Sequence, residues 1–124
     1  MIEVSSTVPL IAKEDITSYK LVYYNDKKPE ICYSSVFNTM YFIGGTTPSE
    51  ETLVVDGPYN DVTEGYPEFW IVKSGFASYR EKPVPYSEGM YVAKCKIPKN
   101  STYLVDQYNT CYASSKIIIE EILR

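Results

Sequence analysis

Histidine is missing from all 124 residues, and with it the commonest general base and metal ligand. Cysteine is scarce and odd in number. Cys32, Cys95 and Cys111 contain no Cys-x-x-Cys pair, so a disulfide framework is not expected and a reducing compartment is. No apolar run approaches the ~18 residues that a membrane helix needs. The opening MIEVSSTVPLIAKED has neither a positive n-region nor a long apolar h-region, so no signal peptide is expected. The sequon Asn100-Ser101-Thr102 is accordingly taken as coincidental. Basic clusters are absent too, since Lys27-Lys28 is the longest basic run in a chain of net charge -4. Binding to nucleic acid by neutralising phosphates is therefore not expected, nor is a membrane-surface role. Glycine-rich phosphate loops are also missing, because Gly44-Gly45 lacks the further glycine and the Lys-Ser/Thr of a Walker motif.

What the chain does have is tyrosine, 13 residues against 4 phenylalanines and 1 tryptophan. Tyrosine suits pleated, half-buried surfaces, and it is also enriched where proteins touch one another. Strand-like segments recur throughout. Ser18–Tyr24, SYKLVYY, ends at the turn composition Asn25-Asp26-Lys27-Lys28-Pro29, after which EICYSSVF is placed as its hairpin partner. TMYFIGG follows and closes at Gly44-Gly45, where a positive φ is expected. Thr46–Glu51, TTPSEE, has the cap, proline and acidic residues of a short helix start. The polar stretch from Asp56 to Pro67 is expected to be a long surface loop, and EFWIVKS a compact apolar strand.

Met90–Ile97 alternates cleanly. Tyr91, Ala93, Cys95 and Ile97 face one way, with Lys94 and Lys96 opposite, so Cys95 is expected to be a small core residue. The corner IPKNS after it is expected to turn the chain between strands, with Asn100 in the left-handed conformation. Ser115–Leu123 competes between helix and strand. Three consecutive isoleucines favour a strand covered on both faces.

Candidate chemistry is thin. Asp56, Asp61 and Glu64 share a polar loop, but without the spacing of a calcium loop they are taken as solvated; no metal or other cofactor is expected. A nucleophilic cysteine lacks a histidine base, so no catalytic residue is assigned.

Two resemblances bear on function. Tyr19-Lys20, Gly75-Phe76-Ala77-Ser78, Ile97-Pro98-Lys99-Asn100-Ser101 and the final Tyr112–Ile119 run come in an order that resembles the ADP-ribosyltransferase fold. That resemblance implies a nucleotide cleft lined by Tyr19, Lys20, Ser78 and Lys116. It also implies an inactive enzyme, because Lys20 stands where the family has arginine and Ser114 and Lys116 where it has glutamates. Residues 70 to 123 also resemble small proteins of tailed phages and Bacteroidota that have no assigned activity. This second resemblance implies a virion component such as a capsid accessory protein, or a small host-interacting protein, in the virion or the host cytoplasm.

Together these observations lead to an α+β domain, predominantly antiparallel β, as a sandwich or split sheet with one or two short helices. Residues 1–15 form an arm and 16–124 a single domain. Its core is drawn from Leu21, Tyr23, Phe42, Trp70, Val72, Phe76, Val92, Cys95, Ile97, Ile117 and Ile119. The expected function is non-enzymatic interaction with a capsid or host protein; the alternative is the nucleotide-binding, ADP-ribosyltransferase-like reading. Tyr59, Tyr66, Tyr79 and Tyr86 lie in or beside the proline- and glycine-punctuated segments, and are taken as the partner-binding residues.

Overall fold

The computed structural model describes residues 10–35, 40–45, 54–55, 72–74, 76–105 and 109–124. Eleven strands lie among them, and no helix. They are β1 (Leu10–Ile11), β2 (Ile16–Tyr23), β3 (Ile31–Ser34), β4 (Met40–Phe42), β5 (Val54–Val55), β6 (Val72–Ser74), β7 (Phe76–Tyr79), β8 (Met90–Ile97), β9 (Thr102–Val105), β10 (Cys111–Ser114) and β11 (Ile118–Leu123). The helix expected over Thr46–Glu51 and the loop over Asp56–Pro67 lie outside the described residues.

Everything is arranged around β2. One edge pairs antiparallel with β8 over its whole length, from Ile16 opposite Ile97 to Tyr23 opposite Met90. The other edge is divided. Tyr19 pairs with Tyr79 of β7, while Val22 and Tyr23 pair with Ser34 and Tyr33 of β3. From β7 the sheet continues through β10 and β9 to β1, and from β3 it continues to β4. β11 adds to the far edge of β8, and β5 pairs with β6 as a separate two-stranded ribbon. The architecture is thus a predominantly antiparallel sheet that splits at β2.

One branch closes on itself. Ile43, just past β4, makes a parallel bridge to Ile119 of β11, and the Gly44 N–H donates to the Ile119 carbonyl at 2.6 Å. Strands β8, β2, β3, β4 and β11 therefore form a ring. Gly44 holds φ at 81°, a conformation that glycine adopts without penalty, and a Cβ there would meet nothing. The hairpin from β2 to β3 turns at Asn25, whose side-chain Oδ1 accepts from the Lys27 N–H at 3.0 Å and whose carbonyl accepts from the Lys28 N–H at 2.9 Å.

Period-two alternation gives the sheet a core on each face. Inside the ring Val22, Cys32, Tyr41, Ala93, Cys95, Ile117 and Ile119 pack together, with Ile43, Phe76 and Ile122 against them. On the opposite face lie Leu21, Tyr79, Met90, Val92, Cys111 and Ala113. The alternation expected for Met90–Ile97 is observed, with Ala93, Cys95 and Ile97 wholly buried. The C-terminal segment is a strand, as its isoleucines imply, with a bulge between Ile119 and Glu121. Only one of its faces is fully covered, because Ile118 stands half-buried opposite Lys96.

Two expected core residues are not core. Tyr23 is 36% exposed and Phe42 is 52% exposed. Tyr23 shares a face with Leu21, but the cover from β7 and β10 reaches Leu21 and stops short of the end of β2. Phe42 points away from the ring, opposite in parity to Tyr41. Phe76 is half-buried, and Trp70 and the side chain of Val72 lie outside the described residues.

The IPKNS corner is a structural device. Its Ser101 N–H donates to the Pro98 carbonyl at 3.1 Å, and Asn100 holds φ at 73°. The end of the arm clamps it: Ala12 exchanges backbone bonds with Asn100 and Ser101 at 2.8 and 2.9 Å. Asp15 accepts from the Lys99 N–H at 2.9 Å and pairs with Lys96 at 3.7 Å. β1 then joins β9, Leu10 opposite Tyr103, so this part of the arm belongs to the sheet. A β-branched residue at 100 is strained in the left-handed region. Asn100→Val is therefore expected to lose about 1–3 kcal/mol in chemical unfolding, while Asn100→Gly is expected to keep wild-type stability. Equal losses in both variants would show that the asparagine side chain, not the backbone conformation, holds the corner.

Candidate protein-binding surface

β3 and β4 are apolar on both faces. Ile31, Cys32 and Tyr33 face Phe42, Tyr41 and Met40 in antiparallel register. Cys32 and Tyr41 turn inward, where they are 0% and 6% exposed. Ile31, Tyr33, Met40 and Phe42 share the outer face, and Tyr33 continues it to Tyr23 across the β2–β3 pair. Met40 is 44% and Phe42 52% exposed; Ile31 and Tyr33 are half-buried. A strand that is apolar on both sides has the pattern of one covered on both sides. Among the described residues only the inner face is covered. Elsewhere on the same face of the sheet, Thr17, Lys94, Lys96 and Glu121 supply the usual polar exterior.

The loop before β8 adds to this end of the sheet. Gly89 holds φ at 78°, and a Cβ on it would lie 3.9 Å from the Tyr23 ring. Its carbonyl accepts from the Tyr24 N–H at 3.2 Å. Val84 and Tyr86, a few residues earlier, are 81% and 65% exposed. On the other side of β2, Tyr24 packs edge-on against Tyr91, and the Arg124 guanidinium lies 5.1 Å from its ring centroid and pairs with Asp26 at 2.9 Å. The chain terminus is thereby tied to the β2–β3 turn.

Of the four tyrosines expected to bind a partner, Tyr86 stands on this exposed end. Tyr79 does not: it lies on β7, 6% exposed, packed in the outer-face core. The strand extends to Tyr79, so alternation and not loop composition decides where its ring goes. Tyr59 and Tyr66 lie outside the described residues, as do Asp56, Asp61 and Glu64. Among the described residues there is no group of three His, Cys, Asp or Glu side chains fit to hold a metal.

The nucleotide-cleft set is only partly brought together. Lys20 and Ser78 are cross-strand neighbours on the face that lines the ring, following from the pairing of Tyr19 with Tyr79. Tyr19 points to the opposite face, and Lys116 lies in the bend between β10 and β11. Lys20 is 8% exposed, its ammonium donating to the Ala77 carbonyl at 2.6 Å. It lies beneath the ring of Tyr41, 5.6 Å from the centroid, rather than in an open cleft.

Sequence reasoning missed Ile31, Tyr33 and Met40. The signal was present: Ile-Cys-Tyr and Met-Tyr-Phe are apolar at both parities, which a one-sided hairpin does not need. Compared with known protein families, curated proteins and solved structures, the chain matches none.

All three cysteines are free and buried. Burial pushes the Cys95 thiol up from 9.0 to about 12 and the Cys32 thiol up to about 11, with the nearby Lys20 charge opposing both. As pH rises past 9.0 the unfolded chain loses these protons first. The stability tied to the buried thiols is therefore fully present below that pH and is lost as pH climbs toward 11 and 12. Urea unfolding midpoints should fall between about pH 9 and pH 11, and fall less steeply in Cys95→Ala than in the wild type. Identical slopes in the two proteins would contradict a protonated, buried Cys95.

Proposed function

We propose that this chain is a non-enzymatic protein-binding module that docks through the outer face of β2, β3 and β4. The observation that carries this reading is the exposure of Met40 and Phe42 on strands that are apolar on both sides. Exposed Phe42 and Met40, with Tyr23 and Tyr33 beside them, give an aromatic and thioether surface of the composition that protein interfaces favour. The occupant is a protein presenting an apolar surface of its own. The neutral character of this face favours neither a nucleic acid nor a charged small molecule. An interface of ordinary size needs about 800 Å² from each partner. The Val84–Tyr86 loop, at the same end of the sheet, extends the surface toward that area. The resemblance to small proteins of tailed phages narrows the partner to a capsid or host protein, and the chain to a virion component or a small host-interacting protein.

The nucleotide-binding alternative is supported by Lys20 and Ser78 sharing a face. It is weakened by Tyr19 pointing the other way and by the enclosure of the Lys20 ammonium.

The test is the double variant Met40→Ser/Phe42→Ser, with virions or host extract as the source of partner. Loss of two central anchors is expected to weaken binding by about 2 kcal/mol or more, roughly thirtyfold. The melting temperature is expected to stay close to that of the wild type, because the removed groups are exposed. Unchanged binding would overturn the reading. A large fall in melting temperature would instead place these side chains in the core.

A further inference from the structure

We propose that the ring encloses a site for a small monovalent anion, of halide or nitrate size, held by Lys20 and Ser78 and flanked by Ser18. These residues are distinct from the docking surface, and the inference does not depend on it.

The sheet register brings the group together. Tyr19 opposite Tyr79 makes Lys20 and Ser78 direct cross-strand neighbours, and Ser18 precedes Lys20 by two residues on the same face of β2. All three side chains are buried: Lys20 at 8%, Ser78 at 1% and Ser18 at 0% exposure. An ammonium carries three N–H donors. In Lys20 one donates to the Ala77 carbonyl at 2.6 Å, and the cation also faces the Tyr41 ring at 5.6 Å. Among the described residues no carboxylate pairs with it; Asp15 pairs with Lys96, and Asp26 with Arg124. Among the described residues the hydroxyl oxygens of Ser18 and Ser78 find no hydrogen-bond partner.

Counting donors against acceptors gives the class of occupant. Neither hydroxyl oxygen accepts from the ammonium, so the ammonium and the two hydroxyls offer more hydrogens than the Ala77 carbonyl and one ring face can take. A buried charge without a counter-charge costs several kcal/mol, and a buried hydroxyl without a partner adds to it. Water would satisfy the hydroxyls but leave the charge uncompensated. The neighbouring thiols of Cys32 and Cys95 do not supply the counter-charge, since burial holds both protonated at neutral pH. An occupant that only accepts hydrogen bonds and brings one negative charge answers all of these demands. Its size is limited by the fully buried side chains of Val22, Cys32, Cys95, Ile117 and Ile119 that pack the same interior. A phosphate ester or nucleotide is too large and too strongly hydrated for such a place.

The experiment is a bromide titration against gluconate at constant ionic strength, followed by thermal unfolding, on the wild type, Lys20→Met and Ser78→Ala. Binding to the folded state alone raises the melting temperature with bromide concentration. The wild type is expected to show that rise, Ser78→Ala to need about tenfold more bromide, and Lys20→Met to show none. Crystals of the wild type grown in bromide are expected to give an anomalous peak within hydrogen-bond distance of the Lys20 Nζ, which keeps the test decisive should Lys20→Met fail to fold. The same bromide response in wild type and Lys20→Met, or crystals without that peak, would overturn the proposal.

Discussion

The pairing of β2 with β8 is the constraint on which the rest of the structure depends. Eight residues of each strand face one another in unbroken register. Because side chains alternate with period two, a slip of one residue would exchange the ring interior for the outer face along both strands. Ser18, Lys20 and Val22 would trade places with Tyr19, Leu21 and Tyr23. The register is pinned at one end by Ile97, wholly buried, and by the clamp of Ala12 and Asp15 on the corner beyond it. At the other end it is pinned by Met90, buried opposite Tyr23, and by the Gly89 turn. With β2 fixed, its free edge has room for two different neighbours, β7 early and β3 late, and the sheet divides there.

That division gives the two branches different surfaces. The branch through β7, β10 and β9 covers the outer face of β2 near Leu21. The branch through β3 and β4 closes with β11 and fills its interior, but its exterior keeps Met40 and Phe42 in contact with solvent. Burying exposed apolar surface of this kind is worth about 25 cal/mol for each Å² removed from water. The inner face of β2, where β7 adjoins it, holds the opposite anomaly, a buried cation with unpaired hydroxyls beside it.

Much of this was legible in the sequence, and the residues that were not share one cause. The alternation in Met90–Ile97, the Asn100 corner, the hairpin from SYKLVYY into EICYSSVF and the final strand all follow from local pattern and turn chemistry. Tyr23, Phe42 and Tyr79 were misplaced because each depends on which non-local strand lies over it. Parity says that Tyr23 and Leu21 share a face; it does not say where β7 ends. Composition likewise placed Tyr79 beside a loop, whereas pairing with Tyr19 and Cys111 carries it into the core. The proximity of Lys20 to Ser78 came only from a resemblance in motif order, and the fold brings those two together while turning Tyr19 away.

The primacy of the β2–β8 pair is tested most directly by hydrogen exchange resolved to single amides. The amides of Ile16–Tyr23 and Met90–Ile97 are expected to be the last to exchange, at rates set by global unfolding, with β3 and β4 opening earlier. If amides of β3 and β4 outlast those of β2 and β8, the fold is organised around the ring's hairpin instead, and the central pair is a consequence of the structure and not its foundation.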